Sequence, residues 1–176
     1  MASNANRIRE AHMIAKGYLD AAEYLKSCEK ENGWLMGEYA SAYTANLAFA
    51  CELYFKQLLM IREIDVKHVH VLKDLFIKIS PDIKLKIEAR YNEKMKVELS
   101  ARAMQPMTLD ECLDKYNTAF KEWRYTYEGG KTMNTIAEIH FFALVRGLKE
   151  ITDEIIEQYS LSQSSEVKEQ GEAETP

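Results

Sequence analysis

The sequence predicts an all-α protein, an up-and-down four-helix bundle with additional short helices. Two observations carry this. Apolar residues recur at helical spacing in six segments, four of them about 20 residues or longer, and Gly, Pro and Asn signals separate the segments. The one stretch that alternates like a strand has no partner strand elsewhere in the chain. At 176 residues and 47% hydrophobic content, the chain is long enough to bury a core without staples. The expected organisation is one helical domain over residues 1–160 and a disordered polar tail over 161–176, where Ser, Glu and Gln replace the apolar pattern.

The first helix, about Asn6–Lys30, places Ile8, Ala11, Ala15, Tyr18, Leu19, Ala22 and Leu25 on one stripe, and Asn32–Gly33 ends it. Trp34, Leu35 and Met36 then tuck against the bundle. Gly37 introduces a central helix, about Glu38–Ile64, that is apolar nearly all round. After a polar connection over Asp65–His70, Val71–Ile79 forms a short helix bearing Leu72, Leu75 and Phe76. Ser80 and Pro81 occupy the cap and first positions of the next helix. Its IKLKI start alternates like a strand, but Ile83, Ile87, Tyr91 and Met95 continue at four-residue intervals, and helix is the reading the longer pattern favours.

Gln105–Pro106 lies in a loop, and Thr108 with Glu111 makes a capping box. The helix that follows carries Leu109, Cys112, Leu113, Tyr116, Phe120, Trp123 and Tyr127 before Gly129–Gly130 stops it. The last helix, about Thr132–Tyr159, offers Met133, Ile136, His140, Leu144, Leu148, Ile151 and Ile155.

Composition excludes several classes. The formal charge of −5 and the absence of a basic arm argue against an extended nucleic-acid track. The richest basic stretch, Lys78–Arg102, is diluted by Glu88, Glu93 and Glu98 and reads as a solvated helix face. Cys28, Cys51 and Cys112 form no CxxC pair and read as small core residues in a reducing compartment. The N-terminus lacks an apolar h-region, and Ala42–Ile61 is too short and too interrupted to span a bilayer comfortably. A cytoplasmic location without membrane association is the expectation. No glycine-rich phosphate loop or nucleophile elbow occurs, and no histidine pair has metal-ligand spacing, so no cofactor or metal is expected.

Two charged pairs stand out. Glu52 and Lys56 lie one turn apart on the greasy central helix, and Arg124 and Glu128 stand four apart in WRYTYE. Buried charges need partners, so each pair closes on itself or the four cross-pair, Glu52 with Arg124 and Lys56 with Glu128. Three readings stay open: a polar knot fixing helix register, a functional site in which Arg124 faces a phosphate or carboxylate, or simple exposure. Tyr54, Tyr125 and Tyr127 would supply nearby hydroxyls in the first two cases. His70 is placed to cap or to hydrogen-bond the knot, His68 faces solvent, and His12 and His140 read as satisfied core histidines.

The ordered set of segments ANLAFACELYFKQLLM (Ala45–Met60), HVLKDLF (His70–Phe76) and FKEWRYTYE (Phe120–Glu128) resembles the HEPN superfamily of prokaryotic helical-bundle domains. By layout the resemblance runs over residues 6–158. It implies an up-down bundle, commonly a homodimer, in defence, toxin–antitoxin and RNA-processing systems. Many members are metal-independent endoribonucleases carrying Arg-x(4–6)-His. The family carries that motif on a late helix, and here neither of the late arginines, Arg124 and Arg146, is followed by a histidine at that spacing, so the imidazole that would move a proton at the RNA 2′-oxygen is missing from that place.

The leading expectation is a noncatalytic homodimeric binding or accessory component linked to nucleic acid or a prokaryotic defence system, with RNA or a protein as partner. The alternative is a divergent endoribonuclease using Arg124, Tyr125 and Glu128, with His70 or His140 brought in from another helix. A third reading is a bundle that senses an anionic metabolite. For a homotypic contact, Trp34, Met36, Tyr18, Tyr24 and Met13 supply apolar surface.

Overall fold

The computed structural model describes residues 4–31, 39–102, 106–119 and 135–172. These form six helices and no strand: α1 Asn4–Glu31, α2 Ala40–Ile61, α3 Leu72–Lys78, α4 Pro81–Arg102, α5 Leu109–Tyr116 and α6 Thr135–Glu172. All-α is the architecture, with four long helices and two short ones. The segments around Asn32–Gly33, Trp34–Met36, Phe120–Tyr127, Gly129–Gly130 and Met133 lie outside the described residues.

Each periodic stripe becomes a buried line because its side chains repeat on one helical face. On α1, Ile8, Ala15, Leu19 and Ala22 are buried, while Tyr18 and Leu25 pack at the margin of the core. On α4 the buried residues are Ile83, Ile87, Tyr91 and Met95, a single row four apart, and both flanks face solvent. The IKLKI ambiguity thus resolves as helix. Pro81 is the first residue of α4. The Ser80 carbonyl accepts from the Lys84 amide to close the first turn, and its hydroxyl hydrogen-bonds Asp82.

The central helix α2 buries residues around its circumference, including Tyr43, Leu47, Cys51, Tyr54, Phe55, Leu58 and Leu59. Its end is a left-handed closure. The Ile64 amide donates to Leu59 and the Glu63 amide to Met60, with Glu63 at φ 58°. Glycine normally occupies that position because a Cβ is strained there. A second rod shares the centre: α6 buries His140, Phe141, Phe142, Ala143, Leu144, Val145 and Leu148. It is therefore surrounded by neighbours over its first half, where a single stripe was expected. Tyr116 of α5 stacks on Phe141 with ring centroids 4.1 Å apart. Gly147 faces Arg90 of α4, where a Cβ would come into van der Waals contact with the arginine stem.

Contacts fix the directions. Lys26 meets Tyr43 and Gln57 reaches the Ile8 carbonyl, so α1 and α2 are antiparallel. Lys26 meets Glu138, Glu23 meets Arg146 and His12 meets Asp153, so α1 is antiparallel to α6 as well.

One expectation changes. The helix starting at Thr108 was expected to run to Glu128, but α5 ends at Tyr116 and Asn117–Thr118 form a turn. Asn117 serves a different helix: its carbonyl accepts from the Leu72 amide and its side-chain oxygen from the Lys73 amide. Asn117 thereby satisfies the open N-terminus of α3, which has no cap of its own at Val71. Residues 161–172 belong to the polar segment that follows the apolar pattern. Their backbone continues α6 to Glu172. No proline or glycine interrupts the segment before Gly171, and Glu, Gln and Lys are good helix formers.

Candidate functional site

The helical spacing that puts Glu52 and Lys56 on one face of α2 also sets them beside the chain leading into α3. Glu52 is 1% exposed. Its Oε1 lies 2.8 Å from the Lys56 Nζ and 2.9 Å from the His70 Nδ1. A carboxylate only accepts, so the His70 Nδ1–H donates to it, and Nε2 is the outer nitrogen of an imidazole that is 46% exposed. The other carboxylate oxygen, Oε2, is buried and accepts no hydrogen bond from the described residues.

Chemically this is a carboxylate-oriented imidazole. The buried acid fixes the ring's tautomer, and the outer nitrogen is left able to take or give a proton or to hydrogen-bond a ligand. The Lys56 ammonium shares the same oxygen, which stabilises the carboxylate as an anion in a poorly hydrated place.

Arg124, Tyr125 and Glu128, the other sequence-derived candidates, lie outside the described residues, as does Tyr127. Tyr54 is near the cluster in sequence but belongs to another face of α2. Its ring meets His12 edge-on at 6.1 Å, and burial together with Asp153, Asp20 and Glu23 pushes its phenol well above the ordinary tyrosine range. Its hydroxyl oxygen is buried without a hydrogen bond among the described residues.

The sequence reading missed a second buried carboxylate. Glu138, 3% exposed on α6, places Oε1 2.6 Å from the Lys26 Nζ of α1 and accepts from the Tyr43 hydroxyl of α2 at 2.9 Å. The signal available was a lone acid in the apolar run IAEIHFF.

The two histidines read as satisfied core residues differ. His140 is fully buried, with Nδ1 2.6 Å from the Tyr91 hydroxyl, which also lies 2.8 Å from the Met107 carbonyl. A carbonyl cannot donate, so the tyrosine gives its proton to Met107 and the His140 Nδ1–H donates to the tyrosine. His12 is only half-buried: it pairs with Asp153 at 2.9 Å through Nε2, while its Nδ1 is buried with no hydrogen-bond partner among the described residues.

Neither buried cysteine suits nucleophilic work. Cys51 and Cys112 are both fully buried, and desolvation raises each thiol well above its usual range. Among the described residues, no group of three His, Cys, Asp or Glu side chains is placed to hold a metal ion. No helix among them is long and apolar enough to cross a membrane. The basic stretch of α4 is partly neutralised by its own fold: Arg90 pairs with Glu93, Glu150 and Glu154, and Lys94 pairs with Glu150.

Comparison with known protein families, with characterised proteins and with solved structures finds no match to this chain.

Proposed function

We propose that the chain is a noncatalytic HEPN-like helical component that works as a homodimer and binds a partner in a nucleic-acid-linked or prokaryotic defence or toxin–antitoxin system. The observation that carries this is the Glu52–His70 contact. It joins two of the segments on which the HEPN resemblance rests, tying the buried Glu52 of α2 to an exposed histidine in the connection that leads into α3. Protein is favoured over RNA as the partner, because Arg90 and Lys94 of the basic stretch already face acids of α4 and α6.

One feature favours the second reading, a divergent metal-independent endoribonuclease using Arg124 and Glu128. The outward Nε2 of His70 is the proton-transfer group that such an enzyme would need. Incubating the purified chain with single-stranded RNA separates the two. The leading reading expects no cleavage, and an Arg124→Ala variant that differs only in thermal stability. Cleavage that disappears in both Arg124→Ala and His70→Ala, with the helical circular dichroism intact, would establish the nuclease instead.

A further inference from the structure

We infer that the homodimer forms through α1, two copies packing antiparallel across Gly17; this rests on the homodimer reading above and names its interface. Helix α1 has two faces. One carries the buried residues Ile8, Ala15, Leu19 and Ala22. The other is a line at alternating steps of three and four residues, Glu10, Met13, Gly17, Asp20, Tyr24 and Ser27, all exposed. Met13 is 73% exposed and Tyr24 69%, two of the most exposed large apolar side chains described. Of the apolar residues that the sequence offers for a homotypic contact, Tyr18 is already engaged edge-on with Phe49. Met13 and Tyr24 stay on the surface.

Gly17 sits between them, at the midpoint of α1. Glycine is the poorest helix former after proline, and within the protomer nothing uses the space it opens: a Cβ there would meet no atom within 4 Å. A bare backbone at mid-helix suits the close approach of a second helix. A two-fold axis at Gly17 gives the longest overlap of α1 with itself. It sets Met13 opposite Ala21 and Tyr24 opposite Glu10 of the other copy.

Charge selects this direction. Up to Gly17 the helix carries Arg7, Arg9 and Lys16 against Glu10, a net +2. Beyond it lie Asp20, Glu23, Glu29 and Glu31 against Lys26 and Lys30, a net −2. Glu23 and Lys26 are tied to α6 and Lys16 pairs with Asp20 on α1 itself; setting all four aside leaves a net +1 before Gly17 and −1 beyond it, the same signs at half the size. An antiparallel pair therefore sets each positive half against a negative one, whereas a parallel pair opposes like charges.

The test uses the full chain. Light scattering at tens of micromolar is expected to give twice the 20.4 kDa protomer mass. Gly17→Arg, whose side chain has room in the protomer, is expected to fold, melt no lower than wild type, and weaken dimerisation by at least about tenfold. Gly17→Cys is expected to form a disulfide-linked dimer under mild oxidation while wild type does not, since a disulfide needs close Cα atoms. Met13→Glu supplies a second disruption should Gly17→Arg misfold. A monomeric wild type overturns this interface and the homodimer reading together. A wild-type dimer that survives these disruptions, or leaves Gly17→Cys uncrosslinked, overturns the interface alone.

Discussion

Glu52 and Glu138 are both nearly inaccessible carboxylates, each held by a lysine and one further group, yet they are built differently. Lys56 is four residues from Glu52 on the same helix, and His70 follows in the next connection. The partners of Glu138 come from two other helices, Lys26 on α1 and Tyr43 on α2. An i,i+4 pair with Glu preceding Lys forms even in an isolated helix, so it supports α2 without fixing where α2 sits. The Glu138 cluster exists only when three helices are assembled, so it fixes their register. Buried charge by itself therefore does not identify a register lock; the origin of its partners does.

The largest expected effects come from leaving either acid without its ammonium. Lys56→Met is expected to cost about 3 kcal/mol, because a nearly sealed carboxylate keeps only His70. Lys26→Met is expected to cost less, about 2 kcal/mol, since Tyr43 still donates from the interior. Urea denaturation midpoints measure both. The reverse order would mean that the three-helix cluster is the main determinant of stability.

Tyr91→Phe comes next, at about 2 kcal/mol, since it strands the Met107 carbonyl and the His140 Nδ1–H together. A loss near zero in the same denaturation experiment would show that these groups find other partners. Glu63→Gly is expected to work in the opposite direction, adding about 1 kcal/mol by relieving the left-handed φ at the end of α2. Calorimetry would register it as a higher melting temperature.

The smallest effect is acid-dependent. The Thr108 backbone amide, then its hydroxyl, hold the Glu111 carboxyl below the ordinary glutamate value of 4.5. Its folded-state pKa is thus depressed, so its contribution is complete above that ordinary value and fades as pH falls through the depressed one. Glu111→Gln is expected to flatten the stability profile in that acid window, and Thr108→Ala, which keeps the backbone amide, to flatten it less; an unchanged profile in Glu111→Gln would contradict the assignment.

Much of the fold was legible in sequence because helical burial is a local pattern. The row Ile83, Ile87, Tyr91, Met95 and the Thr108–Glu111 capping box depend on spacing alone. The break at Asn117 was not legible, since the groups it satisfies are the Leu72 and Lys73 amides, 45 and 44 residues earlier in the chain. In the candidate site, the pairing of Glu52 with Lys56 followed from a one-turn separation. The choice of His70 over Tyr54 as its neighbour followed from which face of α2 meets α3.

By itself, then, the sequence determined that these segments are helices and which side of each is apolar, because side-chain periodicity acts over one or two turns. Only the tertiary structure decided that α6 shares the centre with α2, that Asn117 caps α3, and that Glu138 joins three helices. Those outcomes depend on groups far apart in the chain, and no local spacing encodes which of them will meet once the helices pack.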